Sequence, residues 1–128
     1  MTQPVESRLE RGRRALGEID GEAGQRVIDA LADVSPDFAD LLLEFPFGDV
    51  YSRPGLALRD REVATIASLA TLGCASAQLK VHIGAGLNVG LTRQEIVEIL
   101  IQMSVYAGFP AALNALFAAR DVFDERGE

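Results

Sequence analysis

Apolar positions recur at three- and four-residue spacing along most of the chain, and no stretch shows the Val/Ile/Thr alternation of a strand. Gly and Pro fall at intervals and divide the chain into segments of one helix each, so the pattern predicts an all-α protein of about six helices. From Val5 to Ile19 the residues are charged, with Leu9, Leu16 and Ile19 sparse among them. Residues 1–22 therefore read as a peripheral N-terminal helix or a partly ordered arm, broken by Gly21 and Gly24. Val27, Ile28 and Leu31 make a short apolar stripe. Ser35-Pro36 reads as an N-cap with proline at the first helical position, followed by Phe38, Leu41, Leu42 and Phe45 at helical spacing. Pro46 and Gly48 disturb the end of that helix.

Asp49 to Leu58 reads as a loop with a Pro-Gly turn signal. Arg59-Asp60-Arg61-Glu62 then opens a helix that carries Val63, Ile66, Ala67, Leu69 and Ala70 and stops at Gly73. A helix over Ser76–Asn88 ends at Gly90. Thr92-Arg93-Gln94-Glu95 is a capping box, and the helix after it is apolar on nearly every face, from Ile96 through Ile101 to Val105. That pattern predicts burial on all sides, partly against a neighbouring subunit. Gly108-Phe109-Pro110 ends it, Ala111–Phe123 forms the last helix, and Asp124–Glu128 is a frayed tail. No internal repeat interrupts the series, and residues 1–128 read as a single domain.

Composition narrows the function classes. At 128 residues the chain has the length of one domain. Hydrophobic residues are 48% and aromatics only 6%, which is more apolar surface than a short monomer can hide. The expectation is a homo-oligomer. A net charge of −7 argues against sequence-independent nucleic-acid binding. No uninterrupted apolar run has the length of a membrane span, and the charged N-terminal region shows no secretory signal. A single cysteine excludes an internal disulfide and a Cys-x-x-Cys dithiol. A reducing cytoplasm is the expected location.

The only cysteine and the only histidine fall close together, in Gly73-Cys74-Ala75-Ser76-Ala77-Gln78-Leu79-Lys80-Val81-His82. Gln78 and His82 share a helix face, with Leu79, Ile83 and Gly86 on the same side. His82 is either a hydrogen-bonded core histidine or a general acid/base held by a carboxylate from another helix. Glu62, placed in the first turn of its helix, is the candidate carboxylate. It can equally be a first-turn acid, or the partner of Arg59. Cys74, near a helix start, is either a nucleophile with a lowered pKa or a small buried hydrophobe. Arg53, Arg59 and Arg61 could grip a substrate carboxylate or make surface ion pairs. Tyr51 and Tyr106 are pocket donors or core.

Gln78-Leu79-Lys80-Val81-His82-Ile83, Ala85-Gly86-Leu87-Asn88-Val89-Gly90-Leu91-Thr92, Glu95-Ile96-Val97-Glu98 and Val105-Tyr106-Ala107-Gly108-Phe109-Pro110-Ala111-Ala112-Leu113-Asn114-Ala115 together resemble the carboxymuconolactone decarboxylase family. The upstream Asp49-Val50-Tyr51-Ser52-Arg53-Pro54-Gly55-Leu56 and Arg61-Glu62 fit it as well, and the likeness runs from about Phe38 to Phe123. The resemblance implies an alkylhydroperoxidase D-like all-α fold with a central helical hairpin, assembled into ring-like trimers or hexamers. It implies one of two activities. One is cofactor-free, metal-free decarboxylation of a carboxylated muconolactone in aromatic-acid breakdown. The other is the peroxidase chemistry of the alkylhydroperoxidase D branch, which uses Cys-x-x-Cys, a histidine four residues beyond, and an upstream glutamate.

By that likeness His82 is the family histidine and Glu62 the upstream glutamate. Gln78 stands where the peroxidase branch has its second cysteine and where muconolactone decarboxylases often carry glutamate. Ala75 stands at the first cysteine, and Cys74 is one residue off. Both thiols of the dithiol cycle are missing. An amide at position 78 can orient a substrate but cannot transfer a proton as a carboxylate can.

The first reading is a decarboxylase acting on a small carboxylic acid or lactone. In it His82 transfers the proton, Glu62 orients His82, Gln78 donates a hydrogen bond, Arg53 or Arg59 binds a carboxylate, and Tyr106 is a further donor. The alternatives are a thiol redox protein using Cys74 and a non-catalytic small-molecule-binding oligomer.

Overall fold

Side chains start three of the helices in the computed structural model, which describes residues 5–127. The Ser7 hydroxyl accepts from the Glu10 N–H and the Glu10 carboxylate accepts from the Ser7 N–H, a capping box that opens α1 (Arg8–Ile19). Ser35 accepts from the Phe38 N–H, and Pro36 takes the first position of α3 (Pro36–Leu42). Thr92 and Glu95 form the capping box of α6 (Arg93–Tyr106). The remaining elements are α2 (Glu22–Leu31), a π-helix (Leu43–Tyr51), α4 (Leu58–Leu72), α5 (Ser76–Asn88) and α7 (Phe109–Arg126). Among the described residues there are seven α-helices, one π-helix and no strand. The fold is all-α, as the periodicity predicts. Residues 1–4 of the expected arm and Glu128 of the expected tail lie outside the described residues. Asp124–Arg126, expected to fray, continue α7.

Packing divides the chain into two compact units, one ending at Leu56 and one beginning at Ala57. In the first, α1 is a regular helix with Ala15, Leu16 and Ile19 buried. It lies against the π-helix, and two glycines permit the close approach. A Cβ on Gly12 would overlap the Leu43 carbonyl, 2.6 Å from its carbon, and a Cβ on Gly48 would stand 2.7 Å from the Arg8 carbonyl oxygen. Gly24 does not break a helix. It lies inside α2, where a side chain would meet Leu16 and Asp20. The helix through Phe38 does not end at Pro46 either. Proline lacks an N–H, and its ring conflicts with the carbonyl four residues back in an α-helix. The wider π turn accommodates it, and the chain stays helical to Tyr51. The expected loop is therefore confined to residues 52–57.

Arg8 and Arg11 fasten α1 to the π-helix. Arg8 Nε and Nη2 donate to Asp49 at 3.0 and 2.6 Å, Arg11 Nη2 donates to Asp49 at 3.2 Å, and Arg11 Nε donates to the Gly48 carbonyl at 2.6 Å. The hydrogen bond from Arg8, helped by its charge and by Arg11, holds the Asp49 carboxyl below its usual pKa. A folded-state pKa below the unfolded value contributes stability above the unfolded pKa and loses it as pH falls through the folded one. The first unit is thus expected to loosen as pH drops below about 4. Asp49→Asn should flatten that acid limb in a pH series of thermal melts, and an unchanged limb would remove Asp49 from this role.

In the second unit, α4 and α5 form an antiparallel pair joined by Gly73-Cys74-Ala75, with Gly73 at φ 74° as the left-handed stop. α7 packs against α4, α5 and α6. The core is Ile66, Leu79, Ile83, Leu91, Ile96, Leu100 and Phe123, with Ala115, Ala118 and Ala119 letting α7 approach closely. α6 is not buried all round within one chain. Ile96 and Leu100 are enclosed, whereas Ile101, Val105 and Tyr106 are exposed.

Candidate active site

α4 begins at Leu58, so Glu62 lies beyond its first turn, and the first-turn acid is Asp60. Glu62 repeats at four-residue spacing with Ile66 and Ala70 and shares their burial. It is 0% exposed, an unusual place for a carboxylate unless it is paired. The pairing comes from α5. Leu79 and Ile83 anchor α5 in the core, and His82 sits beside Ile83 at the edge of that buried face, 17% exposed. His82 Nδ1 is 3.0 Å from Glu62 Oε2 and 3.3 Å from Oε1. With Nδ1–H donating to the carboxylate, the imidazole is oriented and Nε2 is the nitrogen turned away from Glu62.

The other sequence candidates separate. Gln78, expected on the inward face with His82, is exposed. Residues four apart on an α-helix differ by about 40° around its axis, and His82 already stands at the edge of the buried face. Cys74 is exposed in the α4–α5 turn, which removes its reading as a buried hydrophobe. Arg59 bonds Glu95 on α6 and lies 3.3 Å from Asp60, so it is not the partner of Glu62. Tyr106, at the end of α6, is 78% exposed. Arg53 is exposed in the first unit, after the π-helix. Tyr51 stacks on Phe47 with ring centroids 5.2 Å apart.

Sequence reasoning did not find the groove between α4 and α6. It has a volume of about 520 Å³, with Val63, Ala67, Ile99 and Met103 as its apolar lining and Glu98 and Gln102 among its polar residues. A small cavity of about 20 Å³ lies by Gly73, Ser76 and Asn114. Neither is lined by His82 or Glu62. The signal for the groove was present in Val63 and Ala67, four apart on α4, and Ile99 and Met103, four apart on α6. Only the packing of α4 on α6 brings the two pairs together. Among the described residues no group of three His, Cys, Asp or Glu side chains could hold a metal ion, and no helix is long and apolar enough to cross a membrane.

Residues 36–121 match the carboxymuconolactone decarboxylase family. The chain belongs to that family. The sequence candidates, from Tyr51 to Tyr106, all fall inside the matched stretch, while α1 and α2 precede it. The chain is 37% identical to the 4-carboxymuconolactone decarboxylase of Acinetobacter baylyi over 123 residues, 95% of this chain and 91% of that one. It is 34% identical over 100 residues to an uncharacterised 15.0 kDa protein of Paracoccus denitrificans, 77% of this chain and 75% of that one. It is 31% identical over 91 residues to the nitrosuccinic acid decarboxylase of Metarhizium robertsii, 67% of this chain and 59% of that one. The likeness to the Acinetobacter protein extends well beyond the family-matched stretch and must include part of the N-terminal unit. Membership of the carboxymuconolactone decarboxylase family and two relatives named as decarboxylases support decarboxylase-type chemistry for this chain.

Proposed function

We propose that the chain is a cofactor-free decarboxylase acting on a small carboxylated lactone or a related acid, with His82 as the proton-transfer group and Glu62 as the residue that positions it. The observation that carries this reading is the 3.0 Å contact between His82 Nδ1 and a fully buried carboxylate. Burying a carboxylate is costly without a partner that bonds it, and the contact is made through Nδ1, across the ring from the Nε2 that the proposal assigns to proton transfer.

In the reaction, the bond from the carboxylate carbon to the substrate breaks and carbon dioxide leaves. The electron pair passes into the conjugated carbonyl and forms an enolate-like anion. A proton from His82 Nε2 then adds to carbon. While Nε2 carries that proton, the Glu62 carboxylate balances the imidazolium charge, as the aspartate does in a catalytic triad. Gln78 donates a hydrogen bond to the developing oxyanion. Arg53 or Arg59 anchors a substrate carboxylate, Arg59 in competition with Glu95, and Tyr106 is a further donor. A ring-like homo-oligomer, trimer or hexamer, working in the cytoplasm on aromatic-acid breakdown products, completes the reading.

A carbon dioxide release screen over lactone acids and nitro- or keto-substituted dicarboxylic acids tests it. One class should turn over without added cofactor, and no release from any of them would overturn the proposal. Glu62→Gln should keep the hydrogen bond to Nδ1 in altered form, lower kcat by about tenfold or more and shift the pH profile of kcat/KM. A merely structural role for Glu62 would leave the profile in place.

A further inference from the structure

The groove between α4 and α6 is a slot tied at both ends. At one end Arg59, in the first turn of α4, bonds Glu95, in the first turn of α6. At the other, the Thr71 hydroxyl donates to the Ala67 carbonyl at 2.8 Å and stands 3.5 Å from Met103 Sδ. The two helices therefore run parallel, and residues 59 to 71 span about 18 Å of helix. Between the ties, Val63, Ala67, Leu91 and Ile99 form an apolar floor. The volume of about 520 Å³ falls in the roughly 300–1,000 Å³ of small-molecule sites. A peptide or a helix laid along the slot would have to cross both ties, whereas a small molecule fits between them.

Charge selects the occupant. Arg59 is the only cationic residue in the lining, and it is engaged by Glu95 and by Asp60 at 3.3 Å. An anionic ligand would first have to displace Glu95. Glu98 is placed differently. It is exposed, it lines the slot between the ties, and it has no ion-pair partner among the described residues. Gln102 lies one turn beyond it on the same face of α6. A carboxylate and an amide oxygen both accept from an ammonium, which carries three donors. A metal ion is a poor fit, because no group of three His, Cys, Asp or Glu side chains among the described residues could hold one.

We propose that this slot binds a small arylalkyl amine, with its ammonium paired to Glu98 and its ring laid over Val63, Ala67 and Ile99 against the Met103 thioether. Thioether sulfur makes favourable contacts with aromatic rings, and an ammonium–carboxylate hydrogen bond is charge-assisted. Neither His82 nor Glu62 lines the slot, so the inference stands apart from the decarboxylase reading.

The probe is 4-phenylbutylamine, with 4-phenylbutan-1-ol as the neutral control of the same shape. The chain has two methionines, so carbon-13 labelling of the methionine methyls makes Met103 a direct reporter, assigned by Met103→Leu. Titration with the amine should move the Met103 signal and saturate at millimolar concentration. The amine should bind about three- to fivefold more tightly than the alcohol, the usual contribution of a charge pair open to solvent, and the preference should shrink at high salt. Glu98→Gln should remove that preference and leave the alcohol unchanged. Ala67→Leu, which narrows the slot, should weaken both probes. Glu98 is at an exposed position, so its variant decides the matter even if Ala67→Leu fails to fold by circular dichroism. A Met103 signal that does not move, equal affinity for amine and alcohol, or full amine affinity in Glu98→Gln would each overturn the proposal. So would a Met103 signal that moves on dilution of the protein and not with the amine, which would give the slot to a second copy of the chain.

Discussion

His82→Ala lowers kcat for carbon dioxide release by about 10²- to 10⁴-fold, the usual contribution of a positioned acid/base group, and leaves the oligomer intact. The expectation rests on the proposal that Nε2 delivers the proton while Nδ1 is held by Glu62 at 3.0 Å. Truncation to alanine also strips a buried carboxylate of its imidazole, and breaking a buried pair is destabilising by about 3–5 kcal/mol. His82→Gln separates the two effects. Its amide N–H can donate to Glu62 in place of Nδ1 but cannot transfer a proton. His82→Gln should therefore melt closer to the wild type than His82→Ala and be equally inactive. Steady-state carbon dioxide release measured beside thermal melts reads both quantities. A folded variant of either kind with full turnover would discard His82 as the proton carrier.

Gly12→Val is the second large effect, on stability. Its Cβ would overlap the Leu43 carbonyl, 2.6 Å from the carbonyl carbon, and that obstacle is backbone that no rotamer change can move aside. α1 and the π-helix must then separate, loosening the packing of Ala15, Leu16 and Leu43, all buried. Overpacking a close contact costs about 1–3 kcal/mol when neighbours can adjust. A rigid carbonyl places this case at or above the top of that range. Gly17→Val on the same helix is the control, because a Cβ there meets nothing within 4 Å. Denaturant melts should show Gly12→Val far below Gly17→Val, and equal midpoints would mean the helices are not held at this spacing.

The elements most legible in the sequence were those with a chemical marker. Ser35-Pro36, the Thr92/Glu95 box and Gly73 each fix a helix end through a specific hydrogen bond or dihedral, and the Ser76–Asn88 helix has the bounds expected for it. The start of α4 carried no marker. Its N-cap is Ala57, which makes no side-chain bond, so the expected start fell one residue late and Glu62 was counted into the first turn. The π-helix was hidden because Pro46 ordinarily signals a stop, and only the alternative hydrogen-bond spacing lets the helix run on.

Glu62 and His82 were legible as a pair because both lie on stripes of core residues. Gln78 was misplaced because the buried face of α5 ends between it and His82. The groove involves residues about 30 positions apart in the chain, brought together only when α4 packs on α6.

If His82 and Glu62 act as proposed, the burial of Glu62 sets folding against catalysis. A carboxylate at 0% exposure amid Ile66 and Ala70 fills space that a leucine or methionine could fill without an ionised group to accommodate. Replacing a buried ion pair with apolar side chains of similar volume is often neutral or stabilising. A screen that rewarded heat resistance alone would therefore drift toward apolar residues at 62 and 82, and its winners would be robust, correctly folded and inert. Under the proposed roles, thermal robustness and turnover are selected in opposite directions at this pair, and a library built to stabilise the protein would keep both positions fixed.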